Sequence, residues 1–328
     1  MRRNLRDHFN FNKKDGAMKM PKVTLHDFIE SFGADENSIS QECIDLITRK
    51  DFTYEILEGS KRDEVILEVL KKLESDRQII GAKERQDIWS NGWNENLQDF
   101  INSNYDLQKL VPKFIRPNKI IRYKQNYICS ANPNFELDYY LVFRKWLFAR
   151  YFKEFSNIYE FGCGTGFNLV ALSQLYPDKN LYGTDFVKSS VDLVNAIAKA
   201  YNIKLKGAIF DMINPDQSFR LKENSLIFTI GSIEQLASKF ENFLQYLLDN
   251  SPELCVHVEP TVELYEKDNL VDYLAIEFHK KRGYTQGFLP RLQELEKEGK
   301  TKILKVKRLF FGSLFMEGYN LIIWRPIK

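Results

Sequence analysis

Apolar residues change their spacing near residue 135. Before it they recur every three or four positions. Phe28 and Ile29 follow Thr24, and Gly33 ends that segment. Ile39, Cys43, Ile44 and Ile47 then repeat the spacing, as do Val65, Ile66, Val69, Leu70 and Leu73. This periodicity predicts amphipathic helices. A Trp89-Ser-Asn-Gly-Trp93-Asn-Glu-Asn96 run follows, Pro112 and Pro117 break regularity, and Ile120–Tyr127 mixes aromatic with cationic residues. Residues 135–155 predict a long helix, with Leu141, Phe143, Leu147, Tyr151 and Phe152 on its buried face.

Beyond it, short apolar runs alternate with helical stretches. Strands are predicted at 157–161, 180–184, 206–210, 225–230 and 254–258, with helices at 167–175, 189–201, 233–248 and about 264–281. Such alternation predicts a parallel sheet covered by helices on both faces. Two final apolar runs, 303–311 and 319–327, are separated only by 312–318 and are expected to pair antiparallel. Three units result: a basic tail (1–22), a helical cap that helps bind the acceptor (23–130) and an α/β domain (131–328).

Composition narrows the class. The 328 residues carry 47 Lys/Arg against 45 Asp/Glu, a net charge of +2. A near-neutral chain argues against a nucleic-acid footprint over its whole surface. No apolar run is long enough to span a bilayer, so no membrane insertion is expected. The N-terminus lacks a secretory core. The four cysteines Cys43, Cys129, Cys163 and Cys255 lie far apart, which fits a cytoplasmic setting and offers no metal cluster. Nothing in the sequence sets the oligomeric state.

The chemistry concentrates where the alternation begins. Gly162, Gly164 and Gly166 lie between the first strand of the domain and its helix, where glycines let a ligand approach the backbone. Glu160 precedes this loop, and an acid there suits a ligand bearing an ammonium or sulfonium centre. Asp185 ends the next strand, at the spacing of an acid that accepts ribose hydroxyls. Asp211-Met212 ends the third.

With Thr229-Ile-Gly231 and the terminal antiparallel pair, these motifs make residues 135–328 resemble a class I S-adenosylmethionine-dependent methyltransferase. The resemblance implies a Rossmann-like seven-stranded, mostly parallel sheet with a reversed last strand. It implies S-adenosylmethionine as cofactor and S-adenosylhomocysteine as product. Gly162, Gly164 and Gly166 would then contact the methionine part, Glu160 its amino group, Asp185 the ribose hydroxyls, and Asp211 and Met212 the adenine, with Cys163, Phe186, Ile230 and Gly231 also binding the cofactor. The wider picture is similar to bacterial methyltransferases of surface-polysaccharide or secondary-metabolite pathways. It implies a small-molecule or carbohydrate-like acceptor methylated at oxygen by direct displacement.

Three segments are candidates for the acceptor side. Glu234-Gln235 follows the fourth strand, and alternation places His257 and Glu259 on one face of the fifth. His257 or Glu234 is expected to take the acceptor proton, with Glu259 orienting the histidine or binding a sugar-like hydroxyl. Trp89, Trp93, Tyr123, Tyr127, Gln235, Arg282 and Tyr284 are expected to bind the acceptor. Two other readings stay open: methylation of RNA or a protein side chain, and a cofactor-binding scaffold without catalysis.

Overall fold

The structure is a computed structural model that describes residues 20–80, 83–117 and 120–327. Most of the basic tail lies outside the described residues. Where they begin, Lys22 forms an antiparallel bridge to Thr53.

The larger sheet has seven strands. Its parallel members are β4 (Asn157–Phe161), β5 (Asn180–Asp185), β6 (Leu205–Ile209), β7 (Ser225–Ile230) and β8 (Leu254–Glu259). With β9 (Thr301–Lys307) and β11 (Asn320–Pro326), the order is β6-β5-β4-β7-β8-β11-β9. β11 runs antiparallel to both its neighbours, as expected for the reversed last strand.

The period-two alternation of the strands sorts two cores. Ile158, Leu226, Phe228, Val256 and Val258 face helices α5 (Phe135–Tyr151), α6 (Phe167–Leu175) and α7 (Lys188–Tyr201). Tyr159, Phe161, Ile227 and Cys255 face α8 (Glu241–Asn250) and α10 (Phe288–Lys297). Burial on both faces explains why these strands read as nearly continuous apolar runs. Strand order reverses between β4 and β7. Such a switch point leaves a crevice beyond the carboxyl ends of the strands.

The amino-terminal region is not purely helical. Helices α1 (Leu25–Phe32), α2 (Gln41–Arg49), α3 (Gly59–Ser75) and α4 (Lys83–Asn102) accompany strands β1 (Glu55–Ile56), β2 (Ile121–Tyr123) and β3 (Asn126–Cys129). These strands form a small sheet, β1-β3-β2-β10, whose last member, β10 (Phe311–Ser313), comes from the carboxyl-terminal region. Tyr139 of α5 stacks on Phe311 with ring centroids 3.7 Å apart. The two regions are thus joined by shared sheet and core.

A buried ionic network reinforces that joint. Asp272 of α9 (Leu270–Arg282) pairs with Arg122 at 2.9 Å and with Arg308 at 2.7 Å; Arg308 also pairs with Glu317 at 2.7 Å. Gln125 donates to the same Asp272 carboxylate at 3.0 Å. No helix among the described residues is long and apolar enough to cross a membrane.

Candidate active site

The glycine loop follows β4 and starts α6. Gly162, Gly164 and Gly166 all have left-handed φ, from 51° to 74°, a region that side chains with a Cβ disfavour. A Cβ on Gly162 would overlap that of Ser232, and one on Gly164 would come within 2.9 Å of the Trp93 ring. The loop is fixed from below. Gly162 and Cys163 donate to the Thr184 carbonyl, Gly164 donates to the Asp185 carboxylate at 3.0 Å, and Ser190 donates to the Gly164 carbonyl at 2.6 Å.

In front of this loop lies a cavity of about 280 Å³. Gly162, Asp185, Phe186, Asp211, Met212 and Gly231 line it, bringing together the ends of four parallel strands. Burial raises the Asp185 carboxyl above its ordinary value, although the N–H groups of Val187 and Gly164 donate to it. Asp211 accepts from the Ile213 N–H at 2.8 Å and from Asn214 at 2.9 Å, which fixes its carboxylate at the rim.

Glu160 lies beneath the loop, on the face covered by α5 and α6. It is 2% exposed. One carboxylate oxygen accepts from Asn168 at 2.7 Å; the other has no hydrogen-bond partner. Burial pushes its pKa up to about 8, with Asn168 and the nearby Arg144 guanidinium opposing the rise. An unpartnered buried oxygen is costly unless something else completes it. A ligand's ammonium group would do so.

Helix α4 covers the cavity. Trp93 and Trp89 stack with centroids 5.3 Å apart, and both line it. The second half of α4 is anchored by buried Phe100 and Asn96; Ser189 of α7 also donates to the Ser90 carbonyl at 2.9 Å. Trp93, expected to touch the acceptor, lines only this first cavity.

A second cavity, of about 320 Å³, adjoins the first. Trp89, Gly231 and Gln235 line both. Glu234, Arg282 and Tyr284 line the second, as does Ile230, which the sequence had placed beside the cofactor. Gln235 donates to the Glu234 carboxylate at 2.7 Å. Arg282 is held by Asp76 at 2.6 Å and donates to the Tyr284 hydroxyl at 3.3 Å.

Sequence reasoning missed Ile88, Phe114, Glu136, and the Ser313–Tyr319 turn with Met316 and Tyr319. Glu136 accepts from the Tyr319 hydroxyl at 3.3 Å. A glutamate in the first turn of a helix ordinarily signals only a favourable dipole contact, so nothing local marked it.

Several expected site residues are placed elsewhere. His257 is fully buried, packed against the Phe288 and Trp324 rings, and its Nδ1 lies 2.9 Å from the Thr229 hydroxyl. Burial alone pushes its pKa down to about 3, so it stays neutral, and it lines neither cavity. The expectation of a His257 base is therefore corrected. Glu259 also lines neither cavity. Its carboxylate accepts from the backbone N–H groups of Ser232 at 3.1 Å and Glu234 at 3.3 Å, so it shapes the turn that carries Glu234. Tyr123 and Tyr127 are buried in the core around the small sheet, away from both cavities. Of the expected loop residues only Gly162 lines the cavity; Glu160, Cys163, Gly164 and Gly166 do not.

No protein-family model and no curated protein matches the chain. Among solved structures it is similar to PigF with SAH, at 13% identity and a TM-score of 0.42, over 80% of this chain and 71% of that one. It is similar to the plantazolicin methyltransferase BpumL in complex with SAH, at 12% identity and a TM-score of 0.40, over 81% and 97%. A third is an O-methyltransferase (NcsB1) from neocarzinostatin biosynthesis, at 8% identity and a TM-score of 0.39, over 58% of each chain. At these identities and scores the likeness decides nothing about activity, which rests on the site itself.

Proposed function

We propose that the protein is an S-adenosylmethionine-dependent methyltransferase acting on a small-molecule acceptor. The observation that carries this reading is the pairing of two cavities at the switch point of the sheet. One offers Gly162 of the glycine loop, the buried Asp185 and the rim residues Asp211 and Met212; the other shares its wall and carries the Glu234 carboxylate. The residues present fit the methyl donor. Asp185 on the cavity wall would accept from ribose hydroxyls, Asp211 and Met212 would frame the adenine, and Glu160, buried beneath the glycine loop with one oxygen unpartnered, would meet the amino group.

When bound, S-adenosylmethionine supplies an already activated methyl group on a sulfonium, with the thioether as leaving group. The protein's own tasks are positioning, exclusion of water and removal of one proton. Trp89 and Trp93 cover the donor, and Gly231 and Gln235 form the boundary at which the acceptor must point its nucleophile. Glu234 is the carboxylate on that boundary turn and takes the acceptor proton. The expectation of oxygen as the methylated atom is retained, with Glu234 rather than His257 as base.

The test is transfer of labelled methyl from S-adenosylmethionine to pooled small hydroxylated metabolites. Label incorporation is expected with the natural protein, none with Asp185→Ala, and a fall of about 10²-fold or more with Glu234→Gln. Equal incorporation by all three proteins overturns the assignment.

A further inference from the structure

The second cavity also carries information about what enters it. Its wall is dominated by flat and apolar side chains from separate elements: Ile88 and Trp89 of α4, Phe114 beyond it, Tyr284 after α9, and Met316 and Tyr319 before β11. Tyr319 is fixed against Tyr140 and Phe311, with ring centroids 5.4 and 5.5 Å away. Ile88 and Phe114 are 48% and 56% exposed, so the apolar lining continues out to solvent. Exposed apolar surface continuous with a cavity marks where an apolar ligand is covered.

The polar side chains of the same wall already have hydrogen-bond partners within the protein. Arg282 is held by Asp76 and Tyr284, Glu136 by Tyr319, and Glu234 by Gln235. A saccharide presents several hydroxyls, each of which loses water on entry and needs a partner. This wall is built for few such partners and for large ring-to-ring contact.

We infer that the acceptor is a flat, largely apolar molecule carrying a single reactive hydroxyl, an aromatic alcohol in chemical class, and not a carbohydrate. Trp89 is its positioning residue, because the indole lines both cavities and sets the ring plane beside the donor. This inference rests on the methyltransferase reading above, and the experiment separates the two.

The protein is first saturated with S-adenosylhomocysteine and then titrated calorimetrically with 2-naphthol, with its saturated analogue decahydro-2-naphthol, and with UDP-glucose. We expect 2-naphthol to bind at least tenfold more tightly than the saturated analogue, and UDP-glucose not to bind. Phe114→Ala, at an exposed position where folding is not at risk, is expected to weaken 2-naphthol at least fivefold and leave S-adenosylhomocysteine affinity unchanged. Trp89→Ala is expected to weaken 2-naphthol at least tenfold. Failure of 2-naphthol to bind, preference for the sugar nucleotide, or indifference to both substitutions overturns the inference. Failure of S-adenosylhomocysteine to bind overturns the methyltransferase reading instead.

Discussion

Replacing Glu160 by glutamine isolates the electrostatic cost of the carboxyl buried beneath the glycine loop. The side chain keeps its shape and still accepts from Asn168, but it loses the ionisable proton. In the folded protein burial raises the Glu160 pKa from 4.5 to about 8. At about 1.36 kcal/mol for each pH unit, that preference for the protonated form amounts to about 5 kcal/mol. The sign follows from proton counts. Between pH 4.5 and 8 the unfolded chain has released the proton and the folded protein retains it, so stability falls as pH rises through that window. Above pH 8 both states are ionised and this contribution stops changing. Glu160→Gln lacks the loss. Chemical denaturation of both proteins from pH 5 to 9 should therefore show the variant gaining on the natural protein, by about 4 kcal/mol across that range. Glu259, whose pKa burial raises to about 7, contributes equally to both curves and cancels. The variant should also bind S-adenosylhomocysteine more weakly, because its amide nitrogen presents donors to the ligand's ammonium. A stability difference that stays flat within about 0.5 kcal/mol across this range would refute the reasoning, since it would mean that Glu160 is ionised in the free protein.

Other perturbations test separate parts of the account. Gly162→Ala drives a Cβ into Ser232 at a left-handed φ of 74°, so denaturation should show a loss of about 2–4 kcal/mol and donor binding should fail. His257→Gln should cost about 1–3 kcal/mol in denaturation, for a buried hydrogen bond and ring packing, while S-adenosylhomocysteine affinity by calorimetry stays within about twofold. The pH dependence of turnover should accordingly carry no limb that disappears in this variant. Asp272→Asn leaves Arg122 and Arg308 short of their shared carboxylate, and a melting curve should report a loss of about 3–5 kcal/mol.

Much of the fold is legible because its signals are local. The strand at 157–161 and the helix at 167–175 are bounded as the apolar pattern predicts, and the glycine loop between them needs only its own residues to be recognised. What failed to show depends on distant partners. Alternation placed His257 and Glu259 on one face, but not the cover that α10 brings through Phe288. The stretch around Tyr123 and Tyr127 read as an acceptor wall because nothing nearby announced that β2 would pair with β10. The predicted helix at 233–248 instead opens with a 3-10 turn, Ile233–Leu236, and α8 begins at Glu241; the turn is what presents Glu234 and Gln235 at the cavities. Met316 and Tyr319 join the site only once β9 and β11 have paired around the segment that carries them. Close-range chemistry is written in the sequence as motifs; a cavity wall gathered from separate elements has no such local signature.

The most direct measurement is a calorimetric titration of the full chain with S-adenosylhomocysteine, alongside Asp185→Ala and with NADH as the competing dinucleotide. The account predicts one site of micromolar affinity, weakened at least tenfold by the substitution, and no binding of NADH. Absence of binding, affinity indifferent to Asp185, or preference for NADH would contradict it.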